Sequence, residues 1–311
     1  MEATKRRAVF ITALAPIAWG CAYYVTRAYL PPNMPLSGSV IRSLPAGLLL
    51  LAIAPARPRG DWWWKTAIIS LLTVGGFFVL IYIAGQRLPS GVAATLMASS
   101  AVVVLLLARV LLDERPPMRT YAGAFAGVVG VALLVGGATG GLDPWGVVVS
   151  LVAMLATSLG FVLTKRWQPP VRPLTFAAWQ LTGGALMVAP IALAVEGTPP
   201  PLDGRAIGGF VYLTLIATAL AYAAWFHGLQ QLSAGTVGLI GLLNPLAGAL
   251  LGILVAQETL SAAQSLGALA ILLGVVAGLD RTPKTQTPPP TQPPLAHRKL
   301  PDTKAPLRTT A

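Results

Sequence analysis

The residues of this chain that can do chemistry are embedded in apolar sequence, and their types point to recognition more than to bond-making. Arg42 stands inside a long apolar run. A charge there is costly and turns toward a cavity or a partner, and its planar fork suits a carboxylate. It lies only about seven residues, roughly 10 Å of helical rise, from Pro35, so it can equally brace carbonyls of neighbouring helices. Asn244-Pro245 interrupts another run, where proline removes a backbone hydrogen bond and can free a carbonyl beside the Asn244 amide to line a site. Gly241 and Pro245 are the candidate hinge of that helix, although its many glycines serve close packing equally well. Trp19, Tyr23, Tyr82, Trp179, Tyr222 and Trp225 can form an amphipathic binding wall. Ser99, Ser100 and Gln180 add polar groups within spans. The substrate-binding candidates are therefore Trp19, Tyr23, Arg42, Tyr82, Ser99, Ser100, Trp179, Gln180, Tyr222 and Asn244, with Gly241 and Pro245 for gating.

Catalytic chemistry has no comparable foothold. Cys21 is the single cysteine, and His227 and His297 are the two histidines, so no metal centre and no cofactor is expected. There is no cluster of nucleophile and base, and no Walker motif to drive a pump with ATP. Glu114 and Glu258 lie at the ends of apolar runs, where helix capping explains them more simply than proton coupling, and Ser261 with Gln264 forms a capping box for the last run. With no carboxylate deep in any span, exchange or uniport is favoured over tight proton coupling.

The element that must position these side chains is a membrane helix. AVILMFWYC make up 55% of the 311 residues and charged residues only 10%, too few to cover a soluble core. A helix crosses the hydrocarbon with about 20 apolar residues. Ten candidates follow, at about 8–29, 34–55, 66–86, 90–112, 117–137, 144–165, 173–195, 206–230, 234–256 and 261–279, punctuated by Pro31-Pro32, Pro89, Pro116-Pro117 and Pro169-Pro170. The fold class expected is an all-α polytopic membrane protein. With the N-terminus inside, Lys5, Arg6, Arg7, Arg57, Arg59, Lys65, Arg109, Arg115, Arg119, Lys165, Arg166 and Arg172 all fall on the cytoplasmic side, against Arg27, Arg87 and Arg205 outside. The net charge of +12 thus reports topology, with both termini cytoplasmic, and removes the case for nucleic acid. Residues 280–311, rich in proline and basic residues, read as a disordered cytoplasmic tail after the seven-residue N-terminus 1–7 and the membrane segments.

The chain also repeats itself. Residues 85–134 match 229–278 without a gap, with Leu88 on Leu232, Glu114 on Glu258 and Gly123-Ala124 on Gly267-Ala268. Phe78 and Tyr82 fall on Tyr222 and Phe226, and Ser99-Ser100 on Leu243-Asn244. Earlier, Thr26-Arg27 meets Thr164-Lys165 and Pro35-Leu36 meets Pro173-Leu174, which makes Gln180 the counterpart of Arg42. Each copy, 8–137 and 144–279, holds five spans. An odd number forces the second copy to enter from the opposite face, giving the ten helices as two inverted five-helix repeats.

Segment 219–278, from Ala219-Leu220-Ala221-Tyr222 through Leu243-Asn244-Pro245 to Gln257-Glu258 and Gly267-Ala268-Leu269, resembles the EamA family of the drug/metabolite transporter superfamily. Trp19-Gly20 and Arg42 resemble other recurrent positions of that family; Ser100-Ala101 departs from it, since relatives commonly have proline there. The resemblance covers about 8–279 and implies a ten-helix exporter or exchanger of amino acids or similar small amphipathic metabolites in a bacterial inner membrane, with lipid and a small-molecule substrate as its partners. The alternatives are efflux of drugs or toxic compounds, and a non-transporting sensor or assembly protein.

Overall fold

The structure, a computed structural model, describes residues 2–31, 34–87, 96–135, 143–199, 201–256 and 261–278. Glu258 and the 280–311 tail lie outside these, as do the side chains of Tyr23 and Tyr82. The first half contains α1 (Glu2–Tyr29), α2 (Pro35–Ile53), α3 (Trp62–Ser70), α4 (Gly76–Arg87), α5 (Ser100–Leu112) and α6 (Met118–Val135). The second contains α7 (Pro144–Trp167), α8 (Pro173–Val195), α9 (Gly204–Thr214), α10 (Ala221–Gln231), α11 (Ala234–Gly241), α12 (Leu243–Ala256) and α13 (Ala262–Gly278). No strand occurs among the described residues.

Local chemistry sets these bounds. Pro35, Pro144 and Pro173 open α2, α7 and α8 in the first turn, where a missing N–H costs nothing. Asp143, Asp203 and Ser233 accept backbone amides of the helices they precede. Ser261 and Gln264 bond each other's backbone amides at the start of α13, as their spacing predicts. Pro35–Ile53, Trp62–Ile81, Pro144–Trp167, Pro173–Val195 and Gly204–Gln231 are long and apolar enough to cross a bilayer. Leu96–Leu112, Met118–Leu133, Ala234–Gly248 and Ala262–Gly278 are shorter apolar helices. Phe10, Val110, Phe125, Leu186 and Val195 are exposed, an apolar exterior that only lipid can solvate. Trp63 and Trp64 are exposed beside Lys65, the composition of an interfacial anchor.

Two helices are bulged at one repeat position. A π turn at Leu71–Gly75 joins α3 to α4, and another at Leu215–Leu220 joins α9 to α10. The packing follows the repeat as well. α1 lies against α9, α10 and α12, while α7 lies against α3, α4 and α5. Counterpart helices face each other in antiparallel pairs. Glu196 accepts the Leu36 and Ser37 amides at one end of the α2/α8 pair, and Thr175 Oγ1 donates to Ala54 O at the other.

The α6/α13 pair is a glycine seam. A Cβ on Gly123 would stand 3.0 Å from Gly278 Cα, and one on Gly130 would stand 2.9 Å from Ile271 N. Backbone meets backbone here, the close approach by which membrane helices gain packing without a hydrophobic driving force. Gly123→Ala should therefore cost about 1–3 kcal/mol, since the obstacle is main chain and cannot swing aside. Thermal melting of detergent-solubilised protein reads the loss; an unchanged midpoint would mean the seam is soft.

Candidate functional site

Each π turn turns a carbonyl away from the helix ladder, because the extra residue breaks the regular pairing. The protein uses both. Ala217 O accepts Trp19 Nε1 at 2.9 Å and Arg42 Nη2 at 3.4 Å, and the next hydroxyl, Thr218 Oγ1, accepts Arg42 Nε at 3.1 Å. In the other π turn Thr73 O accepts Tyr222 Oη at 3.0 Å. Thr73 and Ala217 hold the same place in the two repeats, by the alignment that puts Phe78 on Tyr222. Residues from each half thus reach the bulge of the other.

The Arg42 guanidinium lies over Phe78, 4.9 Å from the ring centroid to Cζ, a cation–π contact strengthened where water is scarce. Among the described residues no carboxylate forms an ion pair with it. Two neutral acceptors and an aromatic face orient the fork, and its formal charge is left for an anion to neutralise. The Trp19 ring stands 5.7 Å from Tyr222 and 5.2 Å from Trp225, and Phe161 lies 5.2 Å from Trp225 on its other side. Trp19, Arg42, Tyr222 and Trp225 are therefore one contiguous group.

The other candidates are placed as follows. Trp179 stands apart, donating from Nε1 to Ala56 O at 2.7 Å and packing on Phe176. Ser99 occupies a turn before α5, and its Oγ donates to Leu96 O at 2.5 Å within its own segment; Ser100 is half-buried as the first residue of α5. The break in the ninth span comes at Leu242, whose amide donates to Leu239 O at 3.0 Å, ahead of the proline. Asn244 and Pro245 then lie in the first turn of α12, where proline is harmless, and Gly241 closes α11 beside the Trp225 ring. Gln180 is wholly buried on α8. Tyr23 lies in α1 and Tyr82 in α4.

Sequence reasoning missed Ala217, Thr218 and Thr73, since a π turn has no composition signature; the alignment of Thr73 with Ala217 was the available hint. It also missed the use made of Glu114. This carboxylate accepts the Ala234 amide at 3.1 Å, capping α11 from a different helix, and lies 3.9 Å from Lys165 Nζ. Lys165 Nζ in turn donates to Leu229 O at 3.0 Å and to Leu232 O. The loop after α5, the end of α7 and the α10–α11 junction are thereby tied together.

Elsewhere Arg87 Nη1 donates to Asp143 Oδ2 at 3.0 Å. That bond first, and the Trp145 and Gly146 amides after it, hold the Asp143 carboxyl below its ordinary range against an opposing desolvation. A depressed folded pKa means the pair's contribution is complete above the ordinary carboxylate range and is lost as pH falls through the depressed value. Wild type and Asp143→Asn should differ in melting at about pH 7 and still differ at about pH 5, converging only in stronger acid. Convergence by about pH 5 would contradict the assignment.

A multi-pass helical bundle with a lipid-facing exterior, an interior aromatic cluster and a cation that lacks a carboxylate partner is built as a membrane transporter. The chain belongs to the EamA-like transporter family, which matches it over residues 6–136 and 144–277. It is 36% identical over 268 residues to protein PecM of Dickeya dadantii, covering 86% of this chain and 90% of that one. An uncharacterized inner membrane transporter of Escherichia coli K12, YedA, is 28% identical over 271 residues, 84% of this chain and 86% of its own. A probable amino-acid metabolite efflux pump of Salmonella typhimurium is 24% identical over 288 residues, 87% and 94% of the two chains. A crystal structure superposes with a TM-score of 0.75 at 19% identity, covering 88% of this chain and 96% of its own, which supports the fold. Such proteins are transporters, not enzymes, and this one moves a small molecule across a bacterial inner membrane.

Proposed function

We propose that the protein exports or exchanges amino acids or similarly small amphipathic metabolites by alternating access between two inverted repeats. The observation that carries the reading is the Arg42 guanidinium, held by Ala217 and Thr218 beside Trp19 and Tyr222 with no carboxylate to pair it. A carboxylate completes the charge, and an apolar or aromatic body suits the rings. The antiparallel counterpart helices α2 and α8, and the interchange of packing between halves, support the inversion. The resemblance to a probable amino-acid metabolite efflux pump supports the substrate class.

Both termini face the cytoplasm in this reading, by the distribution of Lys and Arg. The Lys165–Glu114 tie then closes the inner end while Arg42, in the outer half of α2, remains partly exposed, which supports an outward-facing state. Counterflow in proteoliposomes loaded with unlabelled L-amino acids tests the function. Accelerated uptake of a labelled L-amino acid is expected, with competition by other amphipathic carboxylates; no flux of any L-amino acid removes the proposed substrate class.

A further inference from the structure

Hydroxyls within these helices normally return to the carbonyl one turn back. Thr12 donates to Ala8 O, Ser39 to Pro35 O, Thr73 to Ile69 O, Ser158 to Met154 O and Thr164 to Gly160 O. Thr66 and Ser70, one turn apart on α3, do not: both are buried, and neither hydroxyl has a partner. On the facing helix Gln180 is 0% exposed, and neither its Oε1 nor its Nε2 has a partner.

The packing register brings the three together. α8 runs along α3 with the Phe176 ring 6.2 Å from Trp62. A Cβ on Gly183 would stand 2.8 Å from Ser70 Oγ, and one on Gly184 would stand 3.0 Å from Gly75 N. Gln180 shares a helix face with Phe176, Gly183 and Gly184, so its amide is directed at Thr66 and Ser70. Each unsatisfied buried polar group is expensive, and such groups ordinarily find partners. Three on one seam are a site closed around nothing of the protein's own.

We propose that Gln180, Thr66 and Ser70 form a second substrate station, sealed in this conformation and opened when the transporter faces the other compartment. The inference rests on the transport reading above. Gln180 is the repeat counterpart of Arg42, and on antiparallel α2 and α8 each lies about 10 Å of rise from its own helix start, hence near opposite faces. The chemistry of the two stations differs. An amide and two hydroxyls can donate to a carboxylate or accept from an ammonium, but they carry no charge, so they hold a carboxylate less tightly than a guanidinium does. Affinity for an amino acid is therefore sided: stronger from the Arg42 face by about tenfold, weaker from the Gln180 face.

The test uses the full chain with Cys21→Ser, carrying Gln180→Cys or Arg42→Cys, in vesicles of both orientations. A membrane-impermeant maleimide should reach the two positions from opposite faces, and a saturating mixture of L-amino acids should slow both reactions. Gln180→Cys reacting from neither face, or from the same face as Arg42→Cys, overturns the station, as does reaction unaffected by the mixture. Gln180→Asn, which retains the amide and the fold, should raise the half-saturation constant on the Gln180 face about tenfold and leave the other unchanged; equal changes on both faces overturn it. Absence of flux for every component in the unsubstituted protein instead removes the transport reading itself.

Discussion

Arg42→Ala should lower kcat/KM for a carboxylate substrate by about 10- to 150-fold, the equivalent of one charge-assisted contact of 1.5–3 kcal/mol. The charge has two neutral acceptors and the Phe78 face but no acidic partner among the described residues, so an incoming carboxylate makes a contact the apo protein lacks. The residue also bridges α2 to the π turn, so some loss of stability accompanies the loss of binding. Comparing a labelled amino acid with its carboxamide separates the two effects. Discrimination between them should collapse in Arg42→Ala, and Arg42→Lys, which retains the charge without the fork, should fall between. Equal losses for acid and amide would assign Arg42 to bracing alone.

Lys165→Met should release the inner end. The wild-type ammonium donates to Leu229 O and Leu232 O and approaches Glu114, all largely shielded from solvent, at side-chain exposures of 13% for Lys165 and 14% for Glu114. Methionine fills the space, donates nothing and leaves Glu114 with the Ala234 amide. Charged hydrogen bonds of about 1.5–3 kcal/mol disappear from this conformer, which shifts a two-state ratio by roughly 10- to 150-fold toward the opposite state. Spin labels on exposed Arg115 and Gln231, on either side of the tie, should show a second, longer distance in the variant. A single unchanged distance would make the tie a static brace.

Much of the scaffold was legible because proline and hydropathy act locally. The span expected at 173–195 is the helix Pro173–Val195, and those expected at 34–55 and 144–165 differ from Pro35–Ile53 and Pro144–Trp167 by at most two residues at either end. The third and eighth spans were legible as apolar runs but not as bulged helices, since one inserted residue leaves composition untouched. The ninth span breaks at Leu242, not at the proline, because a helix that restarts at Leu243 carries Pro245 in its first turn without losing a bond. The aromatic cluster was legible by residue type, and its membership was decided by tertiary contacts: Trp225 joins Trp19, whereas Trp179 is taken by Ala56 O. The role of Gln180 depends on what surrounds it, which no single residue announces.

The paired π turns have a rotational consequence. One added residue advances a helix by about 100° of azimuth, so everything after Gly75 or Leu220 is dialled relative to what precedes it. Excising Thr73 or Ala217 would shorten its helix by only about 1.5 Å. It would also swing Phe78 away from Arg42, or Tyr222 away from Thr73 O, so in these two segments azimuth, more than length, sets the tolerance to deletion.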